Sequence, residues 1–162
     1  MITYKCPTID DIKKNYEYKI DPLNFIDTIH VIYSMFYGRF VIKLKEYRFN
    51  EKIKEIQTIM HNKGDKVDKN ILESFEKTLK EISYGCEKIK KKARFDLSEI
   101  TPITGGISLD YRRYKDIPGA ADIYQKIGKE IIDKEVNKFI HYEKTLILYN
   151  EHIINIKKNL TN

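Results

Sequence analysis

Apolar residues recur at helical spacing along most of the chain, so the hydrophobic pattern predicts an all-α protein. The clearest stretch follows Asp68, a candidate helix cap, and its apolar positions alternate between spacings of three and four. These positions are Leu72, Phe75, Leu79, Ile82, Cys86, Ile89 and Ala93. Such a heptad seam is typical of helices that pair along their length. A long helix is therefore predicted from residue 69 to residue 93.

A second heptad pattern occupies the C-terminal quarter of the chain. Its positions are Ile132, Phe139, Leu146, Ile153 and Leu160, and Ile140, Ile147 and Ile154 widen it into a broader stripe. The pattern predicts one helix over residues 118–160, interrupted only by the weak helix former Gly128. Two such helices suggest a coiled-coil-like hairpin or pairing with a second chain. The alternative is two helices of an ordinary globular bundle, which use similar spacing.

Residues that break helices collect between the two patterned stretches. Five of the eleven Gly and Pro residues lie there, namely Pro102, Gly105, Gly106, Pro118 and Gly119. They predict a loop of about 24 residues over 95–118 that joins the two long helices. The glycine pair lacks the Gly-Lys-Ser/Thr ending of a phosphate-binding loop, so it is interpreted as a turn.

The N-terminal part, residues 1–66, is predicted to hold three shorter helices. Thr8 caps a helix over residues 8–20, and Asp21-Pro22 opens an apolar helix over 22–47. Because that second helix is apolar nearly all round, it is expected to be enclosed by the others, with Gly38 at a kink or close approach. A third helix follows Asn50 and ends at Gly64. This part and the hairpin, residues 67–162, are predicted to fold as one unit.

Composition narrows the source of the protein more than its function. Ile (27), Lys (25), Tyr (12) and Asn (10) dominate the 162 residues, as in proteins from AT-rich phages, viruses or low-GC organisms. The net charge of +6 would ordinarily indicate binding to nucleic acid or to an acidic membrane surface. Codon bias alone supplies lysine, however, and pairs such as Glu73 with Lys77 and Glu87 with Lys91 are expected at i,i+4 spacing.

Other features indicate a protein without membrane segment or cofactor. Cys6 and Cys86 form neither a CxxC motif nor a disulfide framework, which favours a reducing compartment. The first residues lack a signal-peptide pattern, and residues 23–42 contain too many polar groups for a transmembrane helix. The expected location is the cytoplasm or a virus particle.

The segment YRRYK, residues 111–115, is the strongest candidate contact site. It consists of Tyr111, Arg112, Arg113, Tyr114 and Lys115 and holds two of only five arginines. Arginine and tyrosine anchor protein interfaces, and the same side chains can fork onto phosphates or stack on bases. A third interpretation is that the tyrosine rings fold back over the helix ends.

One pattern permits an enzymatic alternative. Glu73 and Glu76, and likewise Glu130 and Asp133, lie three residues apart, and two facing pairs could hold Mg²⁺ against a triphosphate. All-helical nucleotide pyrophosphohydrolases use such an arrangement, but their two motifs lie much closer in sequence. The acidic residues are better explained as solvated neighbours of the apolar stripe.

The sequence thus predicts a non-enzymatic structural or adaptor subunit of a larger assembly. It is expected to act through helical contacts with a protein partner or with its own copies, and through the Tyr/Arg segment. The alternative is a basic helical accessory or regulatory factor that binds nucleic acid, and a remote one is a Mg²⁺-dependent nucleotide pyrophosphohydrolase.

Overall fold

In the computed structural model, which describes residues 5–15 and 20–162, five α-helices follow one another and no strand occurs in these ranges. The helices are α1 (Ile9–Asn15), α2 (Phe25–Tyr47), α3 (Phe49–Lys63), α4 (Lys69–Tyr114) and α5 (Ala120–Thr161). The all-α prediction is confirmed. The predicted first helix, residues 8–20, extends over residues 16–19, which lie outside the described residues.

Local side chains define where the helices begin. The Thr8 hydroxyl accepts the amide of Asp11 at 3.0 Å while the Asp11 carboxylate accepts the amide of Thr8 at 3.1 Å, which is a reciprocal cap of α1. Asp21 accepts the amide of Leu23 at 3.0 Å ahead of α2. Asp68 accepts the amide of Asn70 at 2.9 Å ahead of α4. The capping residues expected from the sequence therefore fix these starts.

The chain forms three rods, and α4 runs antiparallel to the other two, which run in the same direction. Helices α2 and α3 make up the first rod, with a break at Arg48, whose φ of 50° is left-handed. Tyr33 of α2 donates to the Ala93 carbonyl of α4 at 2.7 Å, and Lys157 of α5 lies 2.7 Å from Glu55 of α3. The α4–α5 hairpin thus carries α2 and α3 along one side.

The core lies where all three rods meet. The Phe139 ring of α5 packs against three rings of α2, with centroid distances of 5.2 Å to Tyr33, 6.0 Å to Phe36 and 6.1 Å to Phe40. The predicted enclosure of α2 is partial, since it buries Tyr33, Phe36 and Phe40 but leaves Val31 half exposed. Aromatic packing of this kind contributes beyond the area it buries.

The segment predicted as a 24-residue loop is mostly helix. Helix α4 continues through Pro102, Gly105 and Gly106 to Tyr114, and only residues 115–119 connect it to α5, with Gly119 at φ 84°. The prediction of a loop over 95–118 is therefore wrong for all but its last residues.

The helix continues because its buried face continues. Beyond Ala93, the inward positions are Leu97, Ile100, Thr104, Ile107, Ser108 and Tyr111, which keep helical spacing. Thr104 donates its hydroxyl to the Ile100 carbonyl at 2.9 Å, so this polar side chain is satisfied inside the core. Pro102 faces solvent, and tertiary packing outweighs its cost in a helix interior, about 3 kcal/mol.

The close approach that the sequence suggested at Gly38 occurs instead at Gly128. A Cβ at Gly38 would meet nothing within 4 Å, so this residue marks no close approach. At Gly128, by contrast, a Cβ would lie 2.7 Å from Cγ2 of the buried Ile20. Gly128 therefore admits the Ile20 side chain against α5.

Candidate functional site

The candidate contact residues lie at the end of the α4–α5 hairpin. Arg112, Arg113 and Lys115 are exposed, and 44% of Tyr114 is accessible. Tyr111 points inward, is 8% exposed and packs edge-to-face on Tyr124 of α5 at 5.2 Å. Tyr111 thus follows the interpretation in which a tyrosine folds back, whereas its neighbours remain open to a partner.

A cavity of about 320 Å³ adjoins Arg112, between α4 and the start of α2. Its lining includes Leu23, Phe25, Ile26 and Asp27 from one side and Gly105, Ser108, Leu109 and Arg112 from the other. The Ser108 hydroxyl is buried and has no hydrogen-bond partner among the described residues. The cavity combines apolar walls, an unsatisfied hydroxyl and charges of both signs from Arg112 and Asp27, which suits a small group with an apolar body and a polar end.

The predicted helix-pairing seam faces into the bundle. Leu79, Ile82, Ile132, Phe139, Leu146, Ile153 and Leu160 are at most 2% exposed, and Leu72, Phe75 and Ile89 are partly buried against the same core. Within the described residues the seam therefore packs against helices of its own chain. Of the residues that widen the stripe, Ile147 and Ile154 remain about half exposed.

The acidic pairs do not come together. Tyr149 packs over Gly85 and Tyr124 over Tyr111, so α5 runs antiparallel to α4. In that register Glu76 lies roughly 40 Å along the bundle from Glu130. No group of three or more His, Cys, Asp or Glu residues suited to a metal ion occurs in residues 5–15 and 20–162.

A buried polar network joins α4 to α5 at the middle of the bundle. Asp96 of α4 accepts the Tyr142 hydroxyl at 3.1 Å and lies 3.7 Å from the Lys138 ammonium. The same ammonium donates to Oε1 of Glu135 at 3.1 Å, while Oε2 of Glu135 is buried and has no partner in the part of the chain that the structure describes. Burial raises the pKa of Glu135, and the Asp96 carboxylate raises it further, against the lowering effect of Lys138.

Sequence patterns did not single out this network. Glu135 occupies an inward position beside Val136, between Ile132 and Phe139 in the seam, and that placement is its only signal in the sequence. Asp96 joins it through the register of two helices, which spacing within either helix does not reveal. The chemical property of this network is that the Glu135 carboxyl group keeps its proton to a higher pH than an ordinary glutamate does.

Replacing Glu135 with glutamine is expected to change how stability depends on pH. A folded-state pKa above the unfolded value means that Glu135 favours folding below pH ~4.3 and that this contribution is lost as the pH rises through the folded pKa. The free energy of unfolding of Glu135→Gln, relative to wild type, should therefore rise between pH 4 and pH 7 in urea titrations. A relative stability that stays constant or falls over this range would contradict the burial of a charged Glu135.

Comparisons with known proteins identify no relative of the chain. No protein-family model matches the chain, and no curated protein sequence or solved structure is significantly similar to it. None of the helices in the described ranges is long and apolar enough to cross a membrane. The described residues form an all-helical bundle of three rods.

Proposed function

We propose that the protein is a non-enzymatic structural or adaptor subunit of a larger assembly, which contacts a protein partner through the end of the α4–α5 hairpin. The observation that carries this proposal is the exposure of Arg112, Arg113 and Tyr114 beside the cavity that contains the unpartnered Ser108 hydroxyl. Side chains of these types dominate the energetics of protein interfaces when a partner buries them.

Apolar side chains around the hairpin end favour a protein as the partner. Leu109 is 66% exposed and lies on the cavity wall, and Ile117 in the connection is 57% exposed. A partner side chain that enters the cavity would cover these apolar surfaces and could bond the Ser108 hydroxyl. Arg112 at the rim would then pair with a carboxylate or a main-chain carbonyl of the partner.

Self-association would use a different surface. Because the heptad seam is buried within the chain, a second copy would meet the outer face of α5, where Ile147, Leu148 and Ile154 are each about half exposed. Ile147 and Ile154 belong to the widened stripe expected from the sequence. We infer that pairing of copies, where it occurs, leaves the hairpin end free for the partner.

The proposed setting is the cytoplasm or a virus particle. Cys6 and Cys86 are both free thiols. Cys6 accepts a weak hydrogen bond from Arg39, and burial raises the pKa of Cys86 to about 11. Unpaired cysteines that make no disulfide fit a reducing environment.

Truncation of both arginines should strongly reduce partner capture. The full chain would be immobilised as wild type and as Arg112→Ala/Arg113→Ala, and each form incubated with an extract of the cells in which the protein is made. We expect one or more proteins to be retained by wild type and reduced at least about tenfold by the double variant, since such anchors often contribute 2 kcal/mol or more. Quantitative mass spectrometry measures the ratio.

Lys126→Ala/Lys129→Ala provides the matched control. It removes the same two charges from exposed positions of α5. The control should retain the partner at the wild-type level. Retention of an identical set of proteins by all three forms would exclude the hairpin end as the contact.

A further inference from the structure

The middle of α4 carries two exposed aromatic rings with lysines between them. Tyr84, Lys88, Lys91 and Phe95 follow one another at spacings of four, three and four, which places them on one face of the helix. Tyr84 is 71% exposed and Phe95 is 61% exposed, and both lysines are open to solvent. We call these four residues the basic aromatic face.

The stretch of α4 that carries this face has an excess of positive charge. Residues 84–95 contain five cations, Lys88, Lys90, Lys91, Lys92 and Arg94, and one carboxylate, Glu87. In the part of the chain that the structure describes, the ion pairs within 4 Å include none of these five cations. The expected pair of Glu87 with Lys91 does not form, and neither does that of Glu73 with Lys77. The lysines are therefore available to an anionic partner.

We propose that the basic aromatic face binds single-stranded nucleic acid. Every base offers a flat surface that stacks on a tyrosine or phenylalanine ring, and lysines attract the phosphates between bases. Eleven residues separate Tyr84 from Phe95, which is about 16 Å along the helix axis. Lys88 and Lys91 lie within that interval, so two stacked bases and the intervening phosphates can engage one face together.

The exposed rings favour a single strand over a duplex. Bases in a duplex stack on one another and leave only their edges accessible, so Tyr84 and Phe95 would have no base surface to cover. An anionic membrane is also a poorer match. Helices that lie in a membrane interface bury a continuous apolar stripe, whereas only lysines separate the two rings here.

Acidic residues limit the surface at both ends. Toward the start of α4, a shallow depression beside Tyr84 is lined by three glutamates and two lysines, so it carries no excess of positive charge; these residues are Glu73, Glu76, Glu81, Lys77 and Lys80. At the other end, Glu99 is exposed one turn beyond Phe95. The strand is therefore expected to lie between Tyr84 and Phe95, along Lys88 and Lys91.

Fluorescence anisotropy with a labelled 20-nucleotide oligothymidine tests the proposal. Lys88→Ala/Lys91→Ala should weaken binding and lower the slope of log affinity against log salt by about 1.4, since each phosphate contact on a single strand contributes about 0.7. Tyr84→Ala/Phe95→Ala should weaken binding on the order of tenfold or more while leaving the salt slope unchanged. Lys126→Ala/Lys129→Ala should bind like wild type.

Several outcomes would overturn this inference. They are undetectable binding at about 50 mM salt, unchanged affinity in Tyr84→Ala/Phe95→Ala, or equal affinity for a 20-base-pair duplex or for phosphatidylserine vesicles. Arg112→Ala/Arg113→Ala should leave oligothymidine binding intact. That result separates this surface from the hairpin end, so failure of one proposal leaves the other standing.

Discussion

Alanine in place of Phe139 is expected to destabilise the protein by about 3–5 kcal/mol, the usual cost of emptying a buried aromatic site. The ring lies 2% exposed at the junction of α2 and α5. It contacts Tyr33, Phe36, Phe40 and Tyr142 with centroid distances from 5.2 to 6.1 Å. Because these partners sit on rigid helices, they cannot collapse fully into the cavity. Urea denaturation followed by circular dichroism measures the loss.

Ile147→Ala serves as the control for that substitution. Ile147 lies eight residues further along α5 and is 48% exposed, so its truncation should change stability by no more than about 0.5 kcal/mol. If Phe139→Ala proved as mild as Ile147→Ala, the aromatic junction of α2 and α5 would not be the centre of the core.

The same substitution, glycine to alanine, is expected to act in opposite directions at two helical positions. Gly38→Ala should stabilise by about 0.5–1 kcal/mol, because alanine favours the helix and the added Cβ meets nothing within 4 Å. Gly128→Ala should destabilise, because its Cβ would lie 2.7 to 3.0 Å from three atoms of Ile20, and overpacking costs about 1–3 kcal/mol. Midpoints of urea unfolding give both values.

A double variant identifies the cause of the Gly128 effect. Ile20→Ala removes Cγ1 and Cγ2, the two nearest of the three atoms that an alanine at position 128 would meet. The two substitutions together should therefore cost clearly less than their sum. Strictly additive losses would mean that Ile20 does not occupy the space beside Gly128.

Much of the fold follows from local signals in the sequence. The expected helix over residues 22–47 corresponds to Phe25–Tyr47, and the cap at Asp68 starts α4 at Lys69. Such features depend on a few neighbouring residues, so a sequence reveals them. The extension of α4 beyond Ala93 depends instead on packing partners. Its buried face includes the polar Thr104 and Ser108, which interrupt the apolar pattern just where Pro102 and Gly105 suggest a break.

The sequence indicates some features of the candidate sites and not others. The rare arginines beside tyrosines indicate a contact site at residues 111–115, but the inward orientation of Tyr111 depends on Tyr124 of another helix. The cavity beside Arg112 likewise requires α2 to meet α4. The sequence did not indicate the basic aromatic face as a binding site, because its lysines were expected to pair with carboxylates along α4.

The length of α4 has a consequence for any two partners that bind the protein at once. Burial of Ile100 and Thr104 keeps the helix continuous across Pro102, so Lys91 and Arg113 lie on the same unbroken helix. The twenty-two residues from Lys91 to Arg113 correspond to about 33 Å along the helix axis and to six turns plus about 40° around it. The two side chains therefore project from nearly the same side of α4. Two ligands, one bound at each residue, would be held at a fixed distance and a fixed angle to each other.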